Sequence, residues 1–369
     1  MMKHNILSIF FNSLYHFFSL FYTNKEKKVI FCSNRNEKLS GNLLNLYHEF
    51  EKDSSYGLTV QTFNFKRTLT GRANYFIQSV RSMYLLATSD LFIIDDYFLP
   101  VYYITNKKER NKVVQVWHAI GHLKKYGLSI EKNRKSAIKH HSNYDFVAVN
   151  APNDIPAILS SFDVSADKVH VTGAPRLDDI TKLATKKENN SESNTYLYAP
   201  TYRDATDTDK AYEYINALIA SFIKKSDTVK DKLYISLHPY LKMEKIDTKQ
   251  AINIEVFKDG KRSSELLKDM DVLITDYSSI LLDYAYFERP IIIYAPDYHN
   301  YIQTTGFFVD YQEYIQTEFQ NTADDVIELL LNYKTMDIEY VLKLKEDNFY
   351  FLDSNNSYRV YQKLNEIVK

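Results

Sequence analysis

Two histidines, two arginines and a pair of adjacent serines stand where short apolar runs end. VVQVWHAIGHLKKYG (113–127) carries Trp117 and His118 at the end of such a run. A histidine there can take a proton from an attacking hydroxyl near neutral pH. LHPY (237–240) repeats the arrangement with His238, placed to donate to a phosphate oxygen. YAPTYRD (198–204) brings Thr201 and Arg203, whose guanidinium fork suits phosphate. GAPRLDDI (173–180) brings Arg176 and Asp178, the second choice of general base after His118. In DVLITDYSSILLDYAYFERPIIIYAPD (271–297), Thr275 ends a buried run, and Asp276, Tyr277, Ser278 and Ser279 fall in the turn to a helix containing Asp283. Hydroxyls and free N–H groups there can hold an anion without glycine. Each motif has a plainer reading alone: a helix cap, a turn histidine, a surface ion pair. Five together describe a site for a phosphate-bearing ligand with an acid–base group.

Such residues need strands to carry them. Candidate strands are 28–33, 58–63, 91–96, 113–117, 145–150 and 168–173, then 195–200, 232–238, 253–257, 271–275 and 290–295. Helical patterns intervene at 40–51, 73–87, 211–225, 262–269 and 279–287, and from about 322 on only helices are expected. Strand–helix alternation predicts parallel sheets with helices on both faces. KKENNSESN (186–194) reads as a linker. The expected organisation is an anchor over 1–27, a Rossmann-like domain over 28–188 and a second over 189–369, the last helix crossing back. Ligands of open α/β sheets lie at the carboxyl ends of strands, so two such edges are expected to face one cleft.

Composition narrows the choice. The 369 residues carry 46 Lys+Arg against 47 Asp+Glu, a net −1, which rules out a polybasic nucleic-acid coat. Only eight glycines occur, and no dinucleotide or NTPase glycine fingerprint. The single Cys32 excludes an intramolecular disulfide and a cysteine-cluster zinc site, and no metal site is expected.

Residues 5–24 contain no charged side chain. Their polar residues, Asn5, Ser8, Asn12, His16, Ser19 and Thr23, form one helical stripe, so an amphipathic helix lying in a membrane interface is expected, ahead of a span or a helix packed on its own domain. From 107 to 141, ten Lys/Arg against two Glu give +8, a surface suited to anionic lipid or phosphate.

The ordered series WHAIGHLKKYG, GAPRLDD, YAPTYRD, LHPY and TDYSSILLDYAYFERPIIIYAPD resembles the CDP-glycerol glycerophosphotransferase family of teichoic acid synthesis, over about 40 to the C-terminus. Through Gly121, Lys124 and Gly127 it is most similar to the glycerol-phosphate primases of the TagB/TarB group. One departure is that Tyr311–Glu318 lacks the Gly-Pro turn common in the family. The resemblance implies a GT-B-like α/β fold and a peripheral enzyme on the cytoplasmic face of the bacterial membrane. It also implies transfer of glycerol 3-phosphate from CDP-glycerol to an undecaprenyl-diphosphate-linked N-acetylmannosaminyl-N-acetylglucosamine disaccharide, with release of CMP. On that reading His118 is the base. His238, Arg203, Thr201, Thr275, Asp276, Ser278, Ser279 and Asp283 serve the donor. Trp117, Lys124, Lys125 and Arg176 serve the acceptor and membrane. No nucleic-acid partner is implied; other teichoic acid enzymes are. The alternatives are a poly(glycerol phosphate) polymerase and a sugar-nucleotide glycosyltransferase or epimerase.

Overall fold

The computed structural model describes residues 2–64, 68–136, 138–182, 193–203, 208–238, 240–258 and 260–368. Most of the linker expected at 186–194, together with Asp204 and Pro239, lies outside them. The chain divides into two units, Met1–Asp179 with Phe349–Lys369, and Ile180–Asn348.

In unit 1 the strands are β1 (Lys27–Ser33), β2 (Tyr56–Thr62), β3 (Leu91–Ile94), β4 (Lys112–Gln115), β5 (Phe146–Val149) and β6 (Val169–Val171). They form one parallel sheet, ordered β2-β1-β3-β4-β5-β6. In unit 2 they are β7 (Asn194–Ala199), β8 (Asp231–Ser236), β9 (Ile254–Phe257), β10 (Val272–Thr275), β11 (Ile291–Tyr294) and β12 (Phe319–Gln320), ordered β12-β11-β10-β7-β8-β9 and parallel throughout. All eleven expected strands form. The twelfth, β12, is two residues long and carries no periodic signal.

Helices cover both faces, which is why β3 (LFII), β10 (VLIT) and β11 (IIIY) are apolar and buried throughout rather than alternating. Strand order reverses between β1 and β3 in unit 1 and between β7 and β10 in unit 2. Those switch points leave a crevice at the strand ends, where ligands of such sheets bind.

The C-terminal helix Asn356–Val368 belongs to unit 1 and packs Val360 and Leu364 against Leu43, Leu46 and Phe50 of α2 (Gly41–Glu51). Gly173 (φ +77°) permits this return, because a Cβ there would sit 1.9 Å from the Asn356 side chain.

The N-terminal segment differs from expectation. Helix α1 (Met2–Phe18) packs on α3 (Leu69–Ala87), with Phe10 stacked on Phe76 at 5.6 Å and Phe18 edge-on to Tyr84 at 5.5 Å. Its polar stripe faces its own unit. Ser8 Oγ donates to Tyr103 O (3.5 Å), Asn12 Oδ1 accepts from Thr105 N (2.8 Å), and His16 Nε2 donates to Thr105 O (3.0 Å). Tyr15 is fully buried; its hydroxyl donates to Asn111 Oδ1 (2.6 Å) and accepts from Lys108 N. A loop with unpaired backbone groups needs polar partners, and the stripe supplies them. Ile6, Ile9, Phe17, Leu20 and Phe21 are left exposed, as are Leu69, Phe76 and Ile77 of α3. Among the described residues no helix is long and apolar enough to cross a membrane.

Candidate active site

In unit 2 the switch point is built around a buried arginine. Arg203 Nε and Nη2 donate to the two oxygens of Asp297 (2.7 and 3.0 Å), and Nη1 donates to Asp276 Oδ2 and Thr201 O (2.8 Å each). Its guanidinium lies 5.0 Å from the centres of the Tyr277 and Tyr301 rings. Burial opposes its charge, but the Asp276 and Asp297 carboxylates outweigh that and hold its proton more tightly than usual. Expected as a phosphate fork, Arg203 is instead turned inward as the frame of the turn. Its partners lie 73 and 94 residues along the chain.

Asp276 is likewise a structural acceptor. Its oxygens take Thr201 N (2.9 and 3.0 Å), and Oδ1 also takes Tyr277 N (2.6 Å). Thr275 Oγ1 donates to Ala199 O (2.7 Å), tying β10 to β7. Tyr277 OH donates to Asp297, and Tyr311 OH to Asp276 O. The turn is therefore fixed from behind, and Ser278 and Ser279 stand at its front. Ser278 is half-buried, and among the described residues its hydroxyl accepts one long bond, from Ile280 N (3.4 Å). Ser279 is exposed and makes no side-chain cap to the helix Ile280–Ala285. Asp283 is buried in that helix. Thr201 Oγ1 is a buried hydroxyl with no partner among the described residues.

His238 follows β8. Its Nδ1 accepts from Tyr240 N (3.3 Å), and its ring stacks on Tyr202 at 5.3 Å. An acceptor Nδ1 assigns the proton of the neutral ring to Nε2, which makes that atom a hydrogen-bond donor.

His118, in unit 1, has the opposite assignment. Its Nδ1 lies 3.1 Å from Asp95 O. A carbonyl only accepts, so Nδ1 carries the proton and Nε2 keeps its lone pair. Burial, then the Arg35 and Arg176 charges, push the ring's pKa down to about 3, so the lone pair stays available at neutral pH. The backbone before it is held in an unusual shape. Trp117 has φ +48°, uncommon for a bulky residue. Its N–H donates to Gln115 Oε1 (2.8 Å), and its carbonyl accepts from Asn42 Nδ2 (2.9 Å). Asn42 Nδ2 also reaches Val116 O (2.9 Å), and its Oδ1 takes Arg176 N (2.8 Å). One buried amide on α2 thus fixes both the WHA and the GAPR turns. The Trp117 ring stacks on Tyr126 at 5.3 Å and is nearly buried.

Beside His118 lies a group that strand-end reasoning passed over. Asp95 and Asp96 end β3 at the unit 1 switch point. Asp96 Oδ1 is 3.9 Å from His118 Nδ1 and its Oδ2 is 3.1 Å from Arg35 Nε. Asp95 is buried, its Oδ1 has no partner among the described residues, and burial raises its pKa to about 6. The rule that found His118, a polar residue just after an apolar run, applies equally to LFIIDD.

Asp178 is a correction. Its carboxylate accepts from Asn356 N, Ser357 N (2.8 Å each) and Ser357 Oγ (2.6 Å), holding the start of the C-terminal helix. A carboxylate saturated this way is a helix cap, not a spare base. Lys125 is exposed and Lys124 half-buried in the loop after His118. Elsewhere in the basic stretch, Lys107 pairs with Asp145 and Lys139 with Asp163. Among the described residues no group of three or more His, Cys, Asp or Glu could hold a metal ion.

The family model described as CDP-Glycerol:Poly(glycerophosphate) glycerophosphotransferase matches residues 14–366. The chain belongs to this family. It is accordingly an enzyme of the glycerophosphotransferase class. It is 28% identical to the teichoic acid ribitol-phosphate primase of Bacillus spizizenii, over 83% of this chain and 82% of that protein. It is 27% identical to the ribitol-phosphate polymerase TarL of Staphylococcus aureus, over 98% of this chain but 66% of that one. The teichoic acid glycerol-phosphate primase of Bacillus subtilis is 29% identical over 64% of this chain and 63% of that one. In fold, the chain is similar to the wall teichoic acid polymerase TagF (TM-score 0.70, 19% identity, 100% and 96% covered). The S. aureus MnaA–UDP structure is more distant (TM-score 0.61, 14% identity, 93% and 98% covered). Both likenesses bear on architecture alone, a GT-B-like α/β fold.

Proposed function

We propose that this glycerophosphotransferase is a primase of teichoic acid synthesis. It transfers glycerol 3-phosphate from CDP-glycerol to the terminal sugar of an undecaprenyl-diphosphate-linked N-acetylmannosaminyl-N-acetylglucosamine disaccharide. The acceptor hydroxyl attacks the glycerol-side phosphorus, the bond from that phosphorus to CMP breaks, and the hydroxyl proton passes to His118 Nε2. The hydrogen bond from His118 Nδ1 to Asp95 O, which leaves Nε2 unprotonated, supports the proton transfer, and similarity to a primase over 83% of this chain and 82% of that protein supports the primase reading. His238 Nε2–H, with the hydroxyls of Ser278 and Ser279, binds the donor diphosphate and stabilises the departing CMP. Arg203, Asp276 and Asp297 hold the serine turn in place and do not touch the donor. Catalysis then rests on in-line positioning and charge stabilisation.

Ribitol-phosphate enzymes among the relatives make CDP-ribitol a second donor to test, and the similarity to TarL over nearly the whole chain favours polymerisation as the rival reading. Mass analysis of the product from CDP-glycerol or CDP-ribitol with a lipid-linked disaccharide decides both. A single added unit supports the primase, and a ladder supports the polymerase.

The same reading makes the protein peripheral at the cytoplasmic face of the membrane, in contact with anionic lipid through the exposed apolar residues of α1 and α3. Deleting residues 1–24 is a poor test, because it strips Phe11 and Tyr15 from the core. Ile9→Glu with Leu20→Glu changes only exposed positions. It should release the protein from anionic vesicles in high salt, where basic residues no longer hold it.

A further inference from the structure

Away from His118, the carboxyl edge of unit 1 holds a second feature that the transfer reaction does not use. Between the ends of β1 and β2 and the first turns of α3 lies an open polar pocket of about 410 Å³. That is within the range of ligand sites, roughly 300–1,000 Å³. Thr70, Asn74 and Gln78 line it from α3, spaced i, i+4, i+8 so that they form one ridge. Thr62 and Asn64 line it from the end of β2, and Glu37 from the loop after β1. Asn64 Oδ1 is buried without a partner, and the Asn74 side chain makes no hydrogen bond, among the described residues.

We infer that this pocket binds the neutral saccharide of the acceptor, with the lipid chain lying along the exposed apolar residues of α1 and α3. Amides and hydroxyls match sugar hydroxyls and N-acetyl groups. Among the described residues the lining offers amides, hydroxyls and one carboxylate, Glu37, which can accept from sugar hydroxyls. Direction follows from strand order. The pocket sits at β2 and His118 follows β4, three strands away, which at about 4.8 Å per strand is ~14 Å, a span a short saccharide can bridge. Arg35 stands between them, paired with Asp96. On other faces the same helix exposes Leu69, Phe76 and Ile77, and Phe10 of α1 stacks on Phe76.

This inference rests on the acceptor proposed above. Its test uses the full chain, CDP-glycerol and a disaccharide linked through diphosphate to a shortened lipid, with CMP release as readout. Asn74→Ala with Gln78→Ala should raise the acceptor KM at least tenfold, leaving kcat and the donor KM within twofold. Gln78 also accepts from Gln61 Nε2 (3.1 Å), so Asn74→Ala alone, at an exposed position, is the companion that cannot act through the core. It should raise the acceptor KM at least threefold at an unchanged melting temperature. Free disaccharide should compete with the lipid-linked acceptor in wild type and less well in Asn74→Ala. If wild type takes the disaccharide and neither variant moves its KM, the pocket assignment is overturned and the primase reading stands. If wild type extends only a polyol-phosphate acceptor, both fall.

Discussion

The two histidines sit at strand ends in different units, and their rings are wired in opposite senses. His118 donates its Nδ1–H to a carbonyl and keeps an unprotonated Nε2; His238 accepts a backbone N–H at Nδ1, which puts the proton of its neutral ring on Nε2. One nitrogen can receive a proton and the other can only offer one. The distinction comes entirely from what each Nδ1 meets. On the proposed reading, the same residue type at the same kind of position would serve proton abstraction in one unit and anion binding in the other.

The sharpest way to break this comparison is His118→Ala. Turnover should fall about 10²–10⁴-fold, the usual cost of losing a general base, while donor affinity by calorimetry stays put. His118→Gln should not rescue, since an amide cannot take the proton. Wild-type turnover in either variant would move the base elsewhere, with Asp95 the first alternative.

Removing the frame beneath the donor turn should act on stability instead. Arg203→Ala leaves Asp276 and Asp297 buried without their counter-charge, which costs about 3–5 kcal/mol. Denaturant unfolding should show the loss. A fully stable variant with weakened donor binding would restore Arg203 as a ligand.

Ser278→Ala with Ser279→Ala should weaken donor binding by roughly 2–5 kcal/mol, as for two hydrogen bonds to a charged group. Unchanged affinity with a lowered melting temperature would make the pair a cap only. His238→Ala should cost about 1.5–3 kcal/mol of donor affinity. Here His238→Gln should recover part of it, because an amide still donates. Rescue at 238 without rescue at 118 is the signature of the two tautomers.

A separate effect is expected in pH-dependent stability. His118 has a folded pKa lowered from 6.5 to about 3, so between those values the unfolded chain binds the extra proton. Its contribution is present above pH 6.5 and is lost as pH falls toward 3. Asp95, raised from 3.8 to about 6, acts in the opposite sense: its contribution is present below pH 3.8 and is lost as pH rises through 6. The stability of wild type relative to His118→Asn should therefore climb from pH 4 to 6.5 in thermal melts. A flat difference would mean that the His118 ring titrates normally.

Much of this architecture was written locally. Apolar runs of four to seven residues bounded by turns set eleven strands, and helices between them required parallel sheets. The strand-end rule then put His118, His238, Ser278 and Ser279 at the edges where ligands bind, because a chain leaving a buried strand exposes its next residues there. What the sequence could not hold is whom each polar side chain meets. Arg203 reads as a phosphate fork until Asp297, 94 residues on, takes it. Asp178 reads as a base until Ser357, 179 residues on, saturates it. The stripe on α1 is visible as a period, but a period does not say whether it faces water or the 103–105 loop. Asn42 has no local signal at all, yet it joins three segments. Periodicity is a property of neighbours along the chain and is legible there. Hydrogen-bond partners, tautomers and shifted pKa values are properties of neighbours in space, and only the folded chain decides them.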